Sequence, residues 1–371
     1  MSEKTSPYIF PFRPFLHLDR AEESSRFSQP EEMAELDLLS WLDRFAPSVT
    51  PDADGTVEET IFSVFANPAV IFGDPRFVTD LKEYWVGRIS EATAAGRPIE
   101  MTILGFPYKM PVPLKTNRRL ADFGEVVALA RLNQIGKAIG KVYAPGARVH
   151  VFTEGPFAAF NGMDREAPDA YFASLEDISR RFGLGEHVRL HDLNRVIEAN
   201  PDFVSVWKET EKEIKARRDA GDQKTLDAIR DALPVRFHNL ANPGVSDSAL
   251  ASAYRRDPQA KDLIESIQKR AENGVVTYRA FLEARDKIGM LDRVVPGALA
   301  MTVSPRPGRL GVRPLPPPAQ ILPYHGVPVI SADRQSMDIV YLWDLRRDGR
   351  TYRPIHLKGD ADPAPFAYIE N

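Results

Sequence analysis

Two apolar runs with a helical stretch between them constrain this chain more than any other feature. "PIEMTILGF" (98–106) reads as a short buried strand, and "ARVHVF" (147–152) as another. Between them, "DFGEVVALARLNQIGKAIGKV" (122–142) carries apolar residues at Val126, Ala130, Ile135, Ile139 and Val142, close to the helical period. Asp122 and Glu125 fit a capping box at its start, and "YAPG" breaks it. Strand, loop, helix, strand is a βαβ unit, which makes parallel neighbours through a right-handed crossover. Parallel strands end on one edge of their sheet. The loops 105–121 and 153–162 are therefore expected to face each other across a crevice, where open α/β sheets bind ligands.

The rest of the chain fits an α/β fold with a mostly parallel sheet flanked by helices. Residues 1–30 are polar and rich in proline and aromatics, expected as a surface arm. Residues 31–96 have helical spacing, with Gly96 as a C-cap. "DAYFASLEDISRRFGLG" is expected to be a helix with a glycine stop and "EHVRLHDL" a strand. Charged helical stretches follow, and strand patterns return at "ALAMTVSP", "RLGVRPL", "GVPVIS", "MDIVYLWDL" and "YRPIHLKG". The expected organisation is an N-terminal arm and helical region (1–96), then a catalytic domain (97–371) with a helical insertion at about 200–290 and a mixed C-terminal strand region.

Composition removes whole classes of function. The net charge of -4, with acids and bases interspersed, gives no electrostatic case for nucleic-acid binding. With no cysteine there is no disulfide, thiol nucleophile or cysteine metal site. Of the 7 histidines only His187 and His191 form an H-x-x-x-H pair, and they lie in a stretch read as a strand, where that spacing sets them about 13 Å apart, so no metal site is expected. The N-terminus shows no signal pattern and no stretch is long enough to span a bilayer, so a cytoplasmic protein with no membrane partner is the expectation. Nucleotide-binding glycine motifs and G-x-S-x-G are missing as well.

Chemistry concentrates at the expected crevice. Lys109, Lys115, Arg118 and Arg119 follow the first strand, and lysine and bidentate arginine suit a phosphate or carboxylate. Their bland alternative is a solvated basic loop. Glu154 stands where the second strand emerges and can act as general acid or base; otherwise it shapes the turn. Glu125 is fully explained as a cap. His325, in "LPYHGVPVI", can move a proton at neutral pH or be a structural histidine. Arg309 and Arg313, at alternate positions of one strand, share a face that can grip a carboxylate or lie at the surface. His150, His191 and His356 receive no role.

Taken together these fragments resemble the pyoverdine/dityrosine biosynthesis family, the isonitrile synthases. The family order is "FP-x-K-S-P-N", then "PD-x-x-E" opening a helix, "IYAPGA", a strand ending in "SDG", and much later "RLSIHP" and "PWHGV". Here "GFPYK", "KTNRRLADFGEVVALARL", "VYAPGARVHVFTEG", "AMTVSPRPGRLGVRPL" and "LPYHGV" are similar. Three departures mark a divergent member. Glu154 replaces an aspartate, the lysine loop is lengthened between Lys109 and Asn117, and Ser304 replaces the histidine of "SIHP".

The resemblance implies a Rossmann-like fold and conversion of an amino acid's α-amine, possibly an aromatic one's, to an isonitrile, with ribulose 5-phosphate as carbon donor. No metal or redox cofactor is implied. Glu154, His325 and Lys109 become the catalytic candidates. Lys115, Asn117, Arg118, Arg119, Thr153, Gly155, Arg309, Arg313 and Tyr324 become candidates for substrate binding. The small-molecule partners are an amino acid and a sugar phosphate, with room for a downstream tailoring enzyme. An N-formyl or other C–N condensation product, and a non-catalytic ligand-binding relative, remain alternatives.

Overall fold

The computed structural model describes residues 27–52, 54–109, 115–160, 165–241, 255–303 and 307–371. Most of the expected arm (1–26) and Ser304 lie outside the described residues, as do 110–114 of the lysine loop. The chain begins with β1 (Glu31–Met33), α1 (Glu35–Phe45), α2 (Val57–Ala66), α3 (Arg76–Thr79) and α4 (Lys82–Ala94). The expected βαβ unit follows as β2 (Ile99–Gly105), α5 (Phe123–Val142) and β3 (Ala147–Thr153). Next come α6 (Pro156–Phe160), α7 (Glu166–Arg181), β4 (Val188–Asp192) and α8 (Leu193–Glu198). The charged stretch is helical, as α9 (Pro201–Asp219), α10 (Gln223–Ala241) and α11 (Pro258–Lys287), with α12 (Met290–Val294) after it. β5 (Leu299–Thr302), β6 (Leu310–Gly311), β7 (Val327–Ile330), β8 (Met337–Val340), α13 (Leu342–Leu345), β9 (Tyr352–Leu357) and β10 (Ala367–Glu370) complete the chain.

Two compact units emerge. One combines Ile197–Met290 with Pro156–Asp164, and in it α11 packs along α9 and α10. Its core includes Ile214, Ile229, Val275 and Val276. The other unit holds Ser24–Gly155, Arg165–Val196 and Leu291–Asn371. The helices of 31–96 thus cluster with the sheets rather than apart from them, because their apolar faces, such as Leu38, Trp41 and Phe45 of α1, are buried there.

That second unit contains two sheets. The first has the order β4-β3-β2-β5-β6 and every pairing in it is parallel. β2 and β3 run in register from Ile99↔Ala147 to Gly105↔Thr153. Ile99, Met101 and Ile103 of β2 are buried, as are Val149 and Val151 of β3. This is the mostly parallel, helix-flanked α/β sheet expected from the sequence. The second sheet, β1-β9-β10-β7-β8, is mixed, and the C-terminal strands build it instead of extending the first. α5 contacts β3 and β4 of one sheet and β7 of the other. Flanked in this way, it is buried continuously from Phe123 to Asn133.

Three local expectations change. Glu31–Met33, read as the start of a helix, pairs with β9 as a strand, since backbone pairing with Ile355–Leu357 outweighs a weak local preference. The helix expected over 74–96 breaks between α3 and α4 at Asp80–Leu81. "RLGVRPL" makes a strand of only two residues. Its outer edge is taken by the chain at 70–72: Phe72 N donates to Gly311 O at 3.1 Å and Arg313 N to Val70 O at 2.7 Å. Gly96 does sit at a helix end with φ +62, a backbone that favours glycine. Among the described residues no helix is long and apolar enough to cross a membrane.

Gly136 marks the tightest packing of α5. A methyl group there would meet His187 at Cβ and Cγ, close to the backbone leading into β4. His187 cannot give way cheaply, because its N–H donates to Asn133 Oδ1 at 3.1 Å and its Nδ1 lies 3.0 Å from Ala147 O. Alanine gains up to about 1 kcal/mol of helix propensity, whereas overpacking costs about 1–3 kcal/mol. Gly136→Ala is therefore expected to lower stability by about 1–2 kcal/mol in denaturant melts; an unchanged or raised midpoint would show that this contact relaxes.

Candidate functional site

At the carboxyl edge of the parallel sheet, β2 ends at Gly105 and the chain passes through Phe106 to Lys109. Phe106 has φ +51, a left-handed backbone that is costly for a side chain of this size. Its ring meets that of Tyr324 at 5.9 Å. Lys109 is buried, and its ammonium pairs with Asp122 and, at 3.0 Å, with Glu125. These two acids do form the expected capping box: Asp122 Oδ1 accepts from Gly124 N at 2.8 Å, and Glu125 Oε2 accepts from Asp122 N at 2.8 Å. Tyr171 of α7 donates its hydroxyl to Glu125 Oε1 at 3.1 Å.

One lysine cannot neutralise two buried carboxylates. Burial pushes Asp122 well above the usual carboxylate range, against the pull of Lys109, and the neighbouring Glu125 charge adds to the rise. Burial also acts upward on Glu125. There the Lys109 charge and the hydrogen bonds with Asp122 and Lys109 prevail and hold the carboxyl below its ordinary value. Of the two acids, Asp122 is thus the harder to ionise and Glu125 the easier, with the Lys109 ammonium shared between them. Burial, then the Glu125 charge, keeps the Tyr171 phenol protonated.

Glu154 stands one residue beyond β3, 9% exposed, with its N–H donating to Gly105 O at 3.2 Å. It follows Thr153, whose hydroxyl donates to His191 O at 3.2 Å. Gly155 is needed for close approach rather than for a left-handed turn: a Cβ there would lie 2.5 Å from Asn194 Nδ2. The Tyr324 phenol is pushed strongly upward by burial, then by the charges of Glu154 and Glu125. His325 follows Tyr324, with ring centroids 4.7 Å apart. Burial, then Lys115 and Lys109, lowers its pKa to about 3, so its imidazole is neutral at ordinary pH. Lys109, Lys115, Glu154, Tyr324 and His325 therefore form one electrostatic neighbourhood, although the last strands joined a different sheet.

The remaining candidates divide. Lys115 is half-buried, with its ammonium 5.9 Å from the Tyr341 ring centroid, and burial lowers its pKa to about 8. Asn117 and Arg119 are exposed; Asn117 Nδ2 donates to Tyr368 Oη at 3.2 Å. Arg118 is held inside the protein. Its guanidinium donates to the carbonyls of Leu120 (3.2 Å), Ala121 (3.1 Å) and Ala364 (2.8 Å), pairs with Asp360, and stacks on Phe366. Arg309 and Arg313 do not share a strand face, since β6 ends at Gly311. Arg313 lies over the Phe72 ring at 5.1 Å.

The sequence reading gave Asp122, Tyr171 and Phe106 no role in the site, and treated Glu125 only as a cap. The usable signal was a lysine after a strand followed by two acids at the next helix start. A βαβ crossover brings the end of its loop back to the sheet edge where the loop began.

Histidines on the same sheet carry no assigned role but affect stability. His150 lies 2.8 Å from both His191 Nε2 and Glu100 Oε2. Burial, then His150, lowers His191 to about 4. Both His191 and His325 sit below the ordinary value of 6.5, so the unfolded chain binds more protons as pH falls. Their stabilising contribution is full above about pH 6.5 and declines toward pH 4 and below. The thermal midpoint is expected to fall over that window, less steeply in His325→Gln; identical slopes would show that His325 titrates normally.

Comparisons with known proteins agree with this fold. The crystal structure of the PvcA protein from Pseudomonas aeruginosa matches with a TM-score of 0.64 at 19% identity, over 85% of this chain and 99% of that one. An L-tyrosine isonitrile synthase of Pseudomonas aeruginosa is 25% identical over 268 residues, 68% of this chain and 76% of its own length. A protein of the same name from Xenorhabdus nematophila is 27% identical over 117 residues, 31% of this chain and 35% of its own. The sequence model of the pyoverdine/dityrosine biosynthesis protein matches residues 89–282, just over half of the chain, and the chain belongs to that family.

Proposed function

We propose that this protein is an isonitrile-synthase-like enzyme that converts the α-amine of an amino acid to an isonitrile, with ribulose 5-phosphate as carbon donor. The observation that carries the reading is the buried carboxylate of Glu154 at the carboxyl end of β3, beside Tyr324 and near the Lys109 cluster, in a chain of this family. The names of the two relatives favour an aromatic amino acid. The amine must lose a proton, attack the sugar ketone and give an imine, and later steps need further proton transfers. Glu154 is assigned the proton of the amine or of the imine carbon. His325 is assigned a proton shuttle; burial and the charges of Lys115 and Lys109 keep it neutral and weakly basic at the start. The Tyr324 phenol donates to oxygen where negative charge develops.

Lys115 and Arg119 are assigned the sugar phosphate, and Arg309 the carboxylate of the amino acid. Arg118 holds the loop rather than the ligand. Replacing Lys115 or Arg119 by alanine should weaken sugar-phosphate binding by about 1.5–3 kcal/mol, the scale of a charge-assisted hydrogen bond. Because Lys115 loses its charge from about pH 8 upward, affinity should decline through that pH in the wild type and not in Lys115→Ala. Calorimetry that finds both alanine variants unchanged removes the assignment.

Incubation with ribulose 5-phosphate and a pool of amino acids, read by mass spectrometry, tests the reaction. An isonitrile product gains one carbon and loses two hydrogens, whereas a formamide gains carbon monoxide. Either formamide alone or tight binding without turnover would overturn the reading. Glu154→Gln should keep its thermal midpoint and lose on the order of 10²–10⁴ in rate, while Glu154→Asp, the family's usual residue, should stay active. Wild-type turnover in both variants would leave Glu154 as a turn-shaping residue.

A further inference from the structure

Six residues beyond Glu125 on α5, Arg131 is buried away from the Lys109 cluster. Its guanidinium donates to three backbone carbonyls: Arg313 at 3.2 Å, Phe45 at 3.0 Å, and Ala69. Arg313 stands beside it, close enough that its charge acts against that of Arg131, whose pKa burial has already lowered to about 10. Among the described residues no carboxylate pairs with either arginine. The Arg313 Nε–H is buried and has no protein acceptor. Arg131, Arg313 and Gln134 line a cavity of about 10 Å³ whose other walls include Val49, Val70 and Ile135.

Arg131 is buried and Arg313 half-buried with its Nε–H shielded from water, and two like charges so placed favour a counter-charge beside them. Backbone carbonyls solvate Arg131 but carry no net charge, and Arg313 has a stacking partner in Phe72 rather than an acid. A cavity of this size accepts about one water-sized particle, too little for a sugar phosphate or an amino acid. We propose that Arg131 and Arg313 form a binding site for a small monatomic anion of the chloride class, separate from the carboxyl-edge site. Such an ion would be held by the Nε–H of Arg313, the Arg131 guanidinium and the side-chain amide of Gln134. It would fix the chain at 69–72 against the middle of α5.

Chlorine NMR tests this directly. The wild-type protein is expected to broaden the chloride line, and Arg313→Gln to lose most of that excess width. Replacing gluconate by chloride at constant ionic strength should raise the wild-type thermal midpoint by about 1–3 °C, and that of the variant by less. No excess width with the wild type, or equal width with a folded Arg313→Gln, overturns the proposal. Phosphate at matched ionic strength should leave the line broadened; displacement would show an oxyanion site and overturn the monatomic assignment. Independently of any variant, bromide soaked into crystals should give an anomalous peak between the two guanidinium groups, and no peak there also overturns it.

Discussion

A single ammonium group facing two carboxylates out of reach of water organises the carboxyl edge of this protein. Lys109 arrives from β2, Asp122 and Glu125 from the first turn of α5, and Tyr171 from α7 closes the set. Taking charges into a protein interior costs several kcal/mol per ion unless they are paired and hydrogen-bonded. The cluster meets that condition only with every member in place. The end of β2, the start of α5 and the position of α7 are therefore interdependent. Between the end of β2 and Lys109, the left-handed Phe106 meets the Tyr324 ring at 5.9 Å.

Around this centre the basic loop has two kinds of cation. Arg118 faces inward and joins the loop to the C-terminal segment through Ala364 and Asp360, while Asn117 reaches Tyr368 of β10. Arg119 faces outward and Lys115 is half-buried. A loop anchored at one residue can present its neighbours to a ligand with little ordering cost. The mixed sheet contributes in the same way. It does not extend the parallel sheet, yet it carries Tyr324 and His325 on the segment entering β7, where α5 contacts both sheets. Two like-charged lysines and burial leave His325 neutral and weakly basic, able to hydrogen-bond without adding a charge to the neighbourhood.

The legible part of the protein was its local periodicity. β2, α5 and β3 were placed within a residue or two from apolar spacing and a capping pattern. Their parallel pairing followed from chain connectivity, and with it the edge on which Glu154 and Lys109 lie. The family motifs were equally visible, because "FP-x-K", "YAPGA" and "HGV" are contiguous words in the chain. Less legible were the short strands. β1 and β10 are defined by partners more than 300 residues or a dozen residues away along the chain, and Glu31–Met33 has no strand pattern of its own.

By itself, then, the sequence determined the α/β class, the crossover and the sheet edge on which Lys109 and Glu154 lie, since each depends on neighbours in the chain or on the fixed hand of a crossover. Only the tertiary structure decided which charges face one another. Lys109 and Arg118 look alike on a basic loop, but one is neutralised by a helix cap and the other by carbonyls and an aspartate from the far end of the chain. Arg131 and Arg313, separated by 181 intervening residues, meet with no acid between them among the described residues. Charge pairing is set by distances across the fold and by exclusion of water, and neither is written in the spacing of residues along the chain.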